Sequence, residues 1–410
     1  MSKYLHFQLS GGTMKQTMRC FRLLLGLYVF SQALHSATYV LFLQKNGLDL
    51  FQVNLVNFCF FTTLFAFEIP TGAFADVFGR KPSFLVACAL WAIGLAIYGW
   101  STTIWGFIAS ELLLAIGATF FSGAFEAWYV DSIAFHGQEA ELQRFLSHKE
   151  QLEQWVGIAA MMTGAMIAEI NLAFPWFLGS FTMLLAFFAA IAFMREDYFT
   201  RNSASMRVGL AEIKRTAKVS VEYGLKNPAV RFLIFVGTFQ FFAMQPSNMF
   251  WAPYFANFTS SFIVIGIVRV VMQLAIIAGA LYSTHFASKF SDYRIAILSA
   301  QMLIAVSLAV SGLPWFAASL GLFLTHEVGR GIFAPIKSKF LHANIPSSER
   351  ATISSFESLF NHLGGAVGLL LAGLVGNYWG IPASWFLFGL TLLLASFWQY
   401  RRQVGSGVVH

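Results

Sequence analysis

The chain has 410 residues, 57% of them hydrophobic and only 11% charged, with 46 phenylalanines and a mean hydropathy of +0.66. That balance excludes an ordinary water-soluble domain, in which about a quarter of residues are charged. A formal charge of +7 would suit nucleic acid, but the basic residues are dispersed at the ends of apolar stretches rather than gathered in a patch, so no nucleic-acid partner is expected. The three cysteines, Cys20, Cys59 and Cys88, have neither paired nor metal-ligand spacing, so redox chemistry, zinc and cofactors are not expected.

The opening "MSKYLHFQLSGGTMKQTMRCFRLLL" sets basic residues ahead of an apolar run, as a signal peptide does. No small-residue cleavage site follows, and the first helix is expected to be retained. Short polar breaks then divide the chain into twelve apolar segments, each about long enough to cross a bilayer as a helix. They are residues 21–43, 51–74, 83–101, 104–134, 146–169 and 174–194, followed by 230–254, 262–285, 293–312, 314–340, 350–375 and 380–400. Barrel-like alternation is absent, and a helix satisfies its own backbone groups. The expected fold class is therefore an all-α membrane protein of twelve transmembrane helices.

With the amino terminus placed in the cytoplasm, 23 of the 26 Lys and Arg residues fall on cytoplasmic segments. Lys45 alone falls outside, and Arg269 and Arg330 lie within helices. Asymmetry of this kind orients membrane helices, and both termini are expected in the cytoplasm. The longest polar segment, 195–229, separates a six-helix half at 1–194 from another at 230–410. Within it Leu210, Ile213, Ala217, Val221 and Leu225 recur at helical spacing among Lys214, Arg215 and Lys218, the pattern of a linker helix lying on an anionic lipid surface. The loop "GAFADVFGRK" after the second segment has a faint echo, "HFASKFSDYR", after the eighth. Two related halves rocking about a central site are a common transporter design.

The stretch "FEIPTGAFADVFGRKPSF", residues 67 to 84, puts four charges between two apolar segments. Glu68 and Pro70 are expected to end the second helix, "TGAFAD" to turn the chain, and Arg80, Lys81 and Pro82 to begin the third. Gly72, Asp76, Gly79, Arg80 and Lys81 match in register the loop signature of the major facilitator superfamily, which this sequence resembles. The elements "SGAFEAWYVDS", "RGIFAPIKSKFLHANIP" and "SSERATISS" extend the likeness over essentially the whole chain and are similar to a drug-efflux-like bacterial branch. His362 and the degraded loop of the second half depart from that branch. The resemblance implies a monomeric carrier in a bacterial cytoplasmic (inner) membrane. It also implies a gating latch of Asp76, Arg80 and Asp131 that braces the inner helix ends and the eleventh helix. Lys81 is expected to be an ordinary solvated loop charge.

Ionisable groups inside a bilayer cost several kcal/mol and are functional candidates by default. Here they are His35, Glu68, Glu111, Glu126 and Glu169 in the first half, with Arg269, His326, Glu327, Arg330, Glu357 and His362 in the second. On the first helix Tyr28, Gln32, His35 and Tyr39 form one stripe at helical spacing, facing either a cavity or a hydrogen-bonded seam. The resemblance puts helices 1, 4, 7 and 10 around a central cavity. On the fourth, Ser122, Glu126 and Tyr129 share a face, and Glu126 is placed where its carboxylate is poorly solvated, a candidate proton carrier. Glu111 lies nearer the outer end and either couples protons or reaches the interface. The seventh helix offers Gln240, Met244, Ser247 and Trp251, with Pro246 expected to kink it. On the tenth, His326, Glu327 and Arg330 form an internal ion pair or meet an anionic substrate group, and Glu327 is a second candidate for proton coupling. Arg269, with Gln273 one turn on, extends that positive wall. The zinc-peptidase spacing fails because Arg330 stands where a second His is needed.

These observations favour a secondary transporter of a small organic molecule, driven by protons because no nucleotide-binding loop is present. Drug-like efflux is the first expectation within it. Import or export of an anionic metabolite or a metal-chelating organic acid such as a siderophore is the second, and a non-transporting membrane sensor the third. An enzyme would need a nucleophile and base or a metal cluster at usable spacing, and neither is found.

Overall fold

The computed structural model describes residues 14–137, 142–198, 227–345 and 350–405, all helices and short connections. The expected linker helix around 210–225 and the segment "SSE" at 347–349 lie outside the described residues. Among the described residues nine helical stretches are long and apolar enough to cross a membrane. The expected segments at 21–43, 146–169 and 314–340 are not among the nine: the first is broken at 34–38 and its longer helix carries Lys15, Arg19 and Arg22, the second carries Lys149, Glu150 and Glu153, and the third Glu327 and Arg330.

The chain divides into two compact units, one comprising Met1–Phe42 and Cys59–Gly209, the other Leu43–Phe58 and Leu210–His410. In chain order the helices are α1 (Met14–Ala33), α2 (Tyr39–Lys45), α3 (Leu50–Phe78), α4 (Arg80–Trp100), α5 (Ile104–Ser122), α6 (Phe125–Phe135), α7 (Leu142–Ala168) and α8 (Phe174–Phe193). They continue with α9 (Pro228–Ala243), α10 (Gln245–Ala256), α11 (Phe262–Ala287), α12 (Tyr293–Val310), α13 (Phe316–Asn344), α14 (Arg350–Trp379) and α15 (Ile381–Gly405).

In the first unit α4 packs on α5 and α8, and α1 packs on α7 and α8. The first apolar segment is not one continuous helix. Residues 34–38 form tight turns between α1 and α2, and the Leu34 carbonyl approaches Gly164 of α7, where a Cβ would overlap it. The segment 104–134 likewise breaks at Gly123 and Ala124, between α5 and α6. By contrast, Glu68 and Pro70 do not end the second segment. Helix α3 runs on through "TGAFAD" to Phe78, with Pro70 in its interior and the Thr71 hydroxyl bonded to the Phe67 carbonyl at 2.8 Å. Proline removes a single backbone donor, and the long apolar helix absorbs that loss. The turn is a single residue, Gly79, at φ 101° and ψ 163°, a conformation open essentially to glycine alone.

In the second unit α11 packs on α13, α12 on α13 and α15, and α9 on α14, around a core of Val230, Leu233, Val236, Ile297, Ile304 and Leu392. Gly279 and Gly331 let α11 and α13 approach backbone to backbone, since a Cβ on Gly331 would meet the Ile276 carbonyl. Small residues at helix crossings serve this purpose in membranes. The seventh segment breaks at Met244, just ahead of Pro246 in the first turn of α10.

Candidate functional site

At the α3–α4 turn, Arg80 pairs with Asp76, four residues earlier across the turn, at 2.9 Å, stands 3.8 Å from Asp131 of α6, and donates to the Gly123 carbonyl at 3.2 Å. The signature residues Asp76, Arg80 and Asp131 are thus brought together, with Gly72 packed close to Gly123. Sequence reading missed Glu196. Its carboxylate accepts from the backbone amides of Arg80 at 2.5 Å and Lys81 at 3.1 Å, capping the amino end of α4 from beyond the end of α8. No local pattern announces a cap supplied from more than a hundred residues away. Lys81 is not a solvated charge: its ammonium donates to the Ile191 and Met194 carbonyls at 3.0 and 2.7 Å, closing the carboxyl end of α8. These are the charge signs that the two helix ends favour. Nearby, burial first, then the charges of Glu196 and Asp131, pushes the Tyr198 phenol above its ordinary range.

The polar stripe expected on the first segment divides at the 34–38 turns. Tyr28 stacks on Phe121 with ring centroids 3.5 Å apart and accepts a hydrogen bond from Gln32 at 2.6 Å. His35 stacks instead on Trp176 at 4.2 Å, and Tyr39 donates to Glu111 at 2.9 Å. The cause is geometric, because five non-helical residues reset the angular phase on which the stripe depended.

Glu111 is the most enclosed acid among the described residues of the first unit. Only 4% exposed, its Oε1 accepts from both Tyr39 and Tyr98, the latter at 3.1 Å, beneath the stacked rings of Tyr98 and Trp176. No cation among the described residues forms an ion pair with it. It does not reach an interface. Tyr98 and Trp176 carry no sequence signal beyond being aromatic.

Glu126 behaves oppositely. The expectation of poor solvation is not met: its side chain is 47% exposed and pairs with Lys149 of α7. Tyr129 is fully buried against Phe21, so Ser122, Glu126 and Tyr129 do not form one face. The break at Gly123 and Ala124 is again the reason. Glu68 and Glu169 are exposed.

In the second unit α10, α11 and α13 assemble a charged cluster. Glu327 is fully buried, and both its oxygens accept from one nitrogen, Nη1, of Arg330 at 3.0 Å. His326, also fully buried, sets Nδ1 3.3 Å from the Ile304 carbonyl and Nε2 3.2 Å from the Ser247 hydroxyl. The Ser247 hydroxyl in turn donates to the Met244 carbonyl at 2.8 Å, and His326 Nε2 also stands 3.8 Å from Glu327 Oε1. Arg269 of α11 lies over the Trp251 ring, 5.8 Å from its centroid. Gln240 does not join this cluster: it is buried in the packing of α9 against α12, accepting from Gln301, which also donates to the Val236 carbonyl and accepts from Ser396. Its face was misassigned because the Met244 break separates it from Trp251. A further pair, Lys337 with Glu357, joins α13 to α14, and Asn361 donates to Glu357 at 2.9 Å. No group of three or more His, Cys, Asp and Glu with metal-binding geometry occurs among the described residues.

The sequence model of the Major Facilitator Superfamily matches residues 23–325. YxaM, an uncharacterized MFS-type transporter of Bacillus subtilis (strain 168), is 20% identical over 376 residues, which is 89% of this chain and 90% of that protein. The solved nucleoside transporter NupG superposes with a TM-score of 0.76 at 14% identity, covering 94% of this chain and 98% of that one. An auto-inhibited POT family peptide transporter gives 0.72 at 13%, covering 95% and 97%. The xylose transporter XylE from E. coli, in an inward-open conformation, gives 0.67 at 12%, covering 95% and 96%. At these identities the solved structures share the fold.

Proposed function

The chain belongs to the major facilitator superfamily of membrane transporters, and from that premise we propose that it is a proton-coupled secondary transporter of a small organic molecule, with Glu111 as the proton carrier. One observation carries the reading: an acid enclosed among aromatic rings, held by two phenols and paired with no cation among the described residues. A buried carboxyl in a membrane helix is costly unless it serves a pathway. A tyrosine hydroxyl donates to a carboxylate or accepts from a carboxylic acid, so Tyr39 and Tyr98 support either protonation state. Glu126, paired and half-exposed, is better suited to holding α6 against α7 than to carrying the proton.

Around this centre the remaining candidates take subsidiary roles. Asp76, Arg80 and Asp131 form a latch at the signature turn, made from side chains that stay partly exposed and can therefore exchange partners. In the second unit, Arg330, held by the buried Glu327, meets the substrate beside Trp251. Both termini lie in the cytoplasm, on the strength of the Lys and Arg asymmetry. The drug-efflux-like direction of transport rests on sequence resemblance alone.

The experiment uses proteoliposomes loaded with a pH-sensitive dye and challenged in turn with small organic acids, nucleosides, sugars, dipeptides and lipophilic amines. At least one class should move protons with the wild-type protein. Glu111→Gln should silence that signal while isotope exchange of the same solute continues; undiminished proton movement in Glu111→Gln would exclude Glu111 as carrier.

A further inference from the structure

The charge count of the second unit's cluster does not close. Arg269 and Arg330 bring two positive charges, Glu327 brings one negative charge, and His326 adds no negative charge in either protonation state. The pair that joins α13 to α14, Lys337 with Glu357, is neutral in itself. Arg330 spends one nitrogen on both oxygens of Glu327 and keeps 20% of its side chain exposed. Arg269 is the residue left over. It has no carboxylate within ion-pairing distance among the described residues, and its Nε, sealed from solvent, has no hydrogen-bond partner.

A buried N–H of a cationic group left without an acceptor is costly, and on the half-buried Arg269 that atom is Nε. The Trp251 face offsets part of that cost, by about 0.5–2 kcal/mol for a cation over an aromatic ring. A π face, however, accepts nothing in the plane of the guanidinium, where the donors of its fork point. Glu327 does not fill this place, because it pairs with Arg330 and stands beyond ion-pairing distance of Arg269. A fork of N–H donors with an unpartnered Nε, on a helix packed against the one that carries a second, partly accessible guanidinium, matches an anionic oxygen group.

Building on the transport reading above, we propose that the substrate carries an anionic oxygen group, a carboxylate or a phosphate, and that it docks on Arg269 with Arg330 alongside. The group supplies the missing negative charge and the missing acceptor together. Trp251 holds the guanidinium flat beneath it, and Glu327, by occupying one nitrogen of Arg330, fixes the direction in which that side chain's remaining donors point. His326 and Ser247 hold α13 and α10 together behind the site through their mutual hydrogen bond.

The test is equilibrium binding to the purified, detergent-solubilised full chain, read by thermal unfolding, with probes in matched pairs. Succinate is set against succinamide, benzoate against benzamide, glucose 6-phosphate against glucose, and uridine monophosphate against uridine. At least one acid should raise the unfolding temperature where its neutral partner does not, and the carboxylate and phosphate arms tell which group is preferred. In Arg269→Gln the affinity for that acid should fall about tenfold or more, as expected when one member of a buried charge pair is removed. The same variant without ligand should unfold at an equal or higher temperature, because a buried cationic N–H without an acceptor has gone. The proposal is overturned if no acid stabilises the protein, if neutral partners stabilise equally, if the acid's effect survives Arg269→Gln, or if ligand-free Arg269→Gln is markedly less stable. Binding in detergent requires no proton movement, so this outcome is independent of whether Glu111 is the carrier.

Discussion

Gly79→Ala offers the most quantitative test of the signature turn. Two costs arise together. The backbone at φ 101° and ψ 163° lies where a side chain is strained by about 1–3 kcal/mol. The new Cβ would also stand 2.8 Å from one Glu196 oxygen and 3.2 Å from the other, displacing the carboxylate that caps α4. Loss of a good amino-terminal cap costs about 1–2 kcal/mol, giving a total of about 2–5 kcal/mol for Gly79→Ala. Glu196→Ala removes the cap alone, at about 1–2 kcal/mol. The double variant should then cost no more than Gly79→Ala, because with the carboxylate already gone there is nothing left to displace. The coupling between the two positions equals the cap energy, as expected for residues in contact. Equilibrium unfolding in mixed micelles measures all three variants. If the double variant costs the sum of the singles, or if Gly79→Ala costs less than Glu196→Ala, then Glu196 is not the cap of α4.

Two further predictions concern ion pairs in different surroundings. Arg80→Gln breaks contacts to Asp76 and Asp131 that are substantially exposed, so stability should fall by at most about 1 kcal/mol. Its transport rate should fall much more, and turnover equal to wild type would defeat the latch. Lys337→Met strands Glu357 among buried groups, which should cost about 3–5 kcal/mol. Lys337→Met combined with Glu357→Gln should recover most of that loss, and a double variant as unstable as the single would show that the charge pairing is not what matters.

Most of the fold was legible in the residue order because hydropathy and length act locally. A run of some twenty apolar residues has few options in a bilayer except to form a helix, wherever the rest of the chain goes. The observed limits of α4, α8 and α11 fall within about three residues of those expected, inside the usual uncertainty of helix ends. The pairing of Asp76 with Arg80 also reads locally, since the two lie four residues apart, but the one-residue turn at Gly79 did not, because the turn was expected at "TGAFAD". The end of α3 did not read this way, because a proline inside a long apolar helix costs less than leaving the helix.

The partners were not legible. Glu111 and Glu126 sit on the same expected segment, and sequence ranked Glu126 as the buried one; tertiary structure reversed the order by bringing Tyr98 and Trp176 over Glu111 and Lys149 beside Glu126. The stripe from Tyr28 to Tyr39 and the face from Gln240 to Trp251 failed for a common reason. Each assumed an unbroken helix, and non-helical residues at 34–38 and at Met244 rotate everything beyond them. Glu196 shows the same limit from the other side, since a carboxylate capping a helix that starts at Arg80 can be found only once the chain has folded back on itself. Sequence alone determined that this is a helical membrane protein and where its helices run, because burial in lipid is decided segment by segment. Which charge meets which partner was decided by tertiary structure, because that depends on the rotation of each helix about its own axis, and breaks and crossings far apart in the chain set that angle.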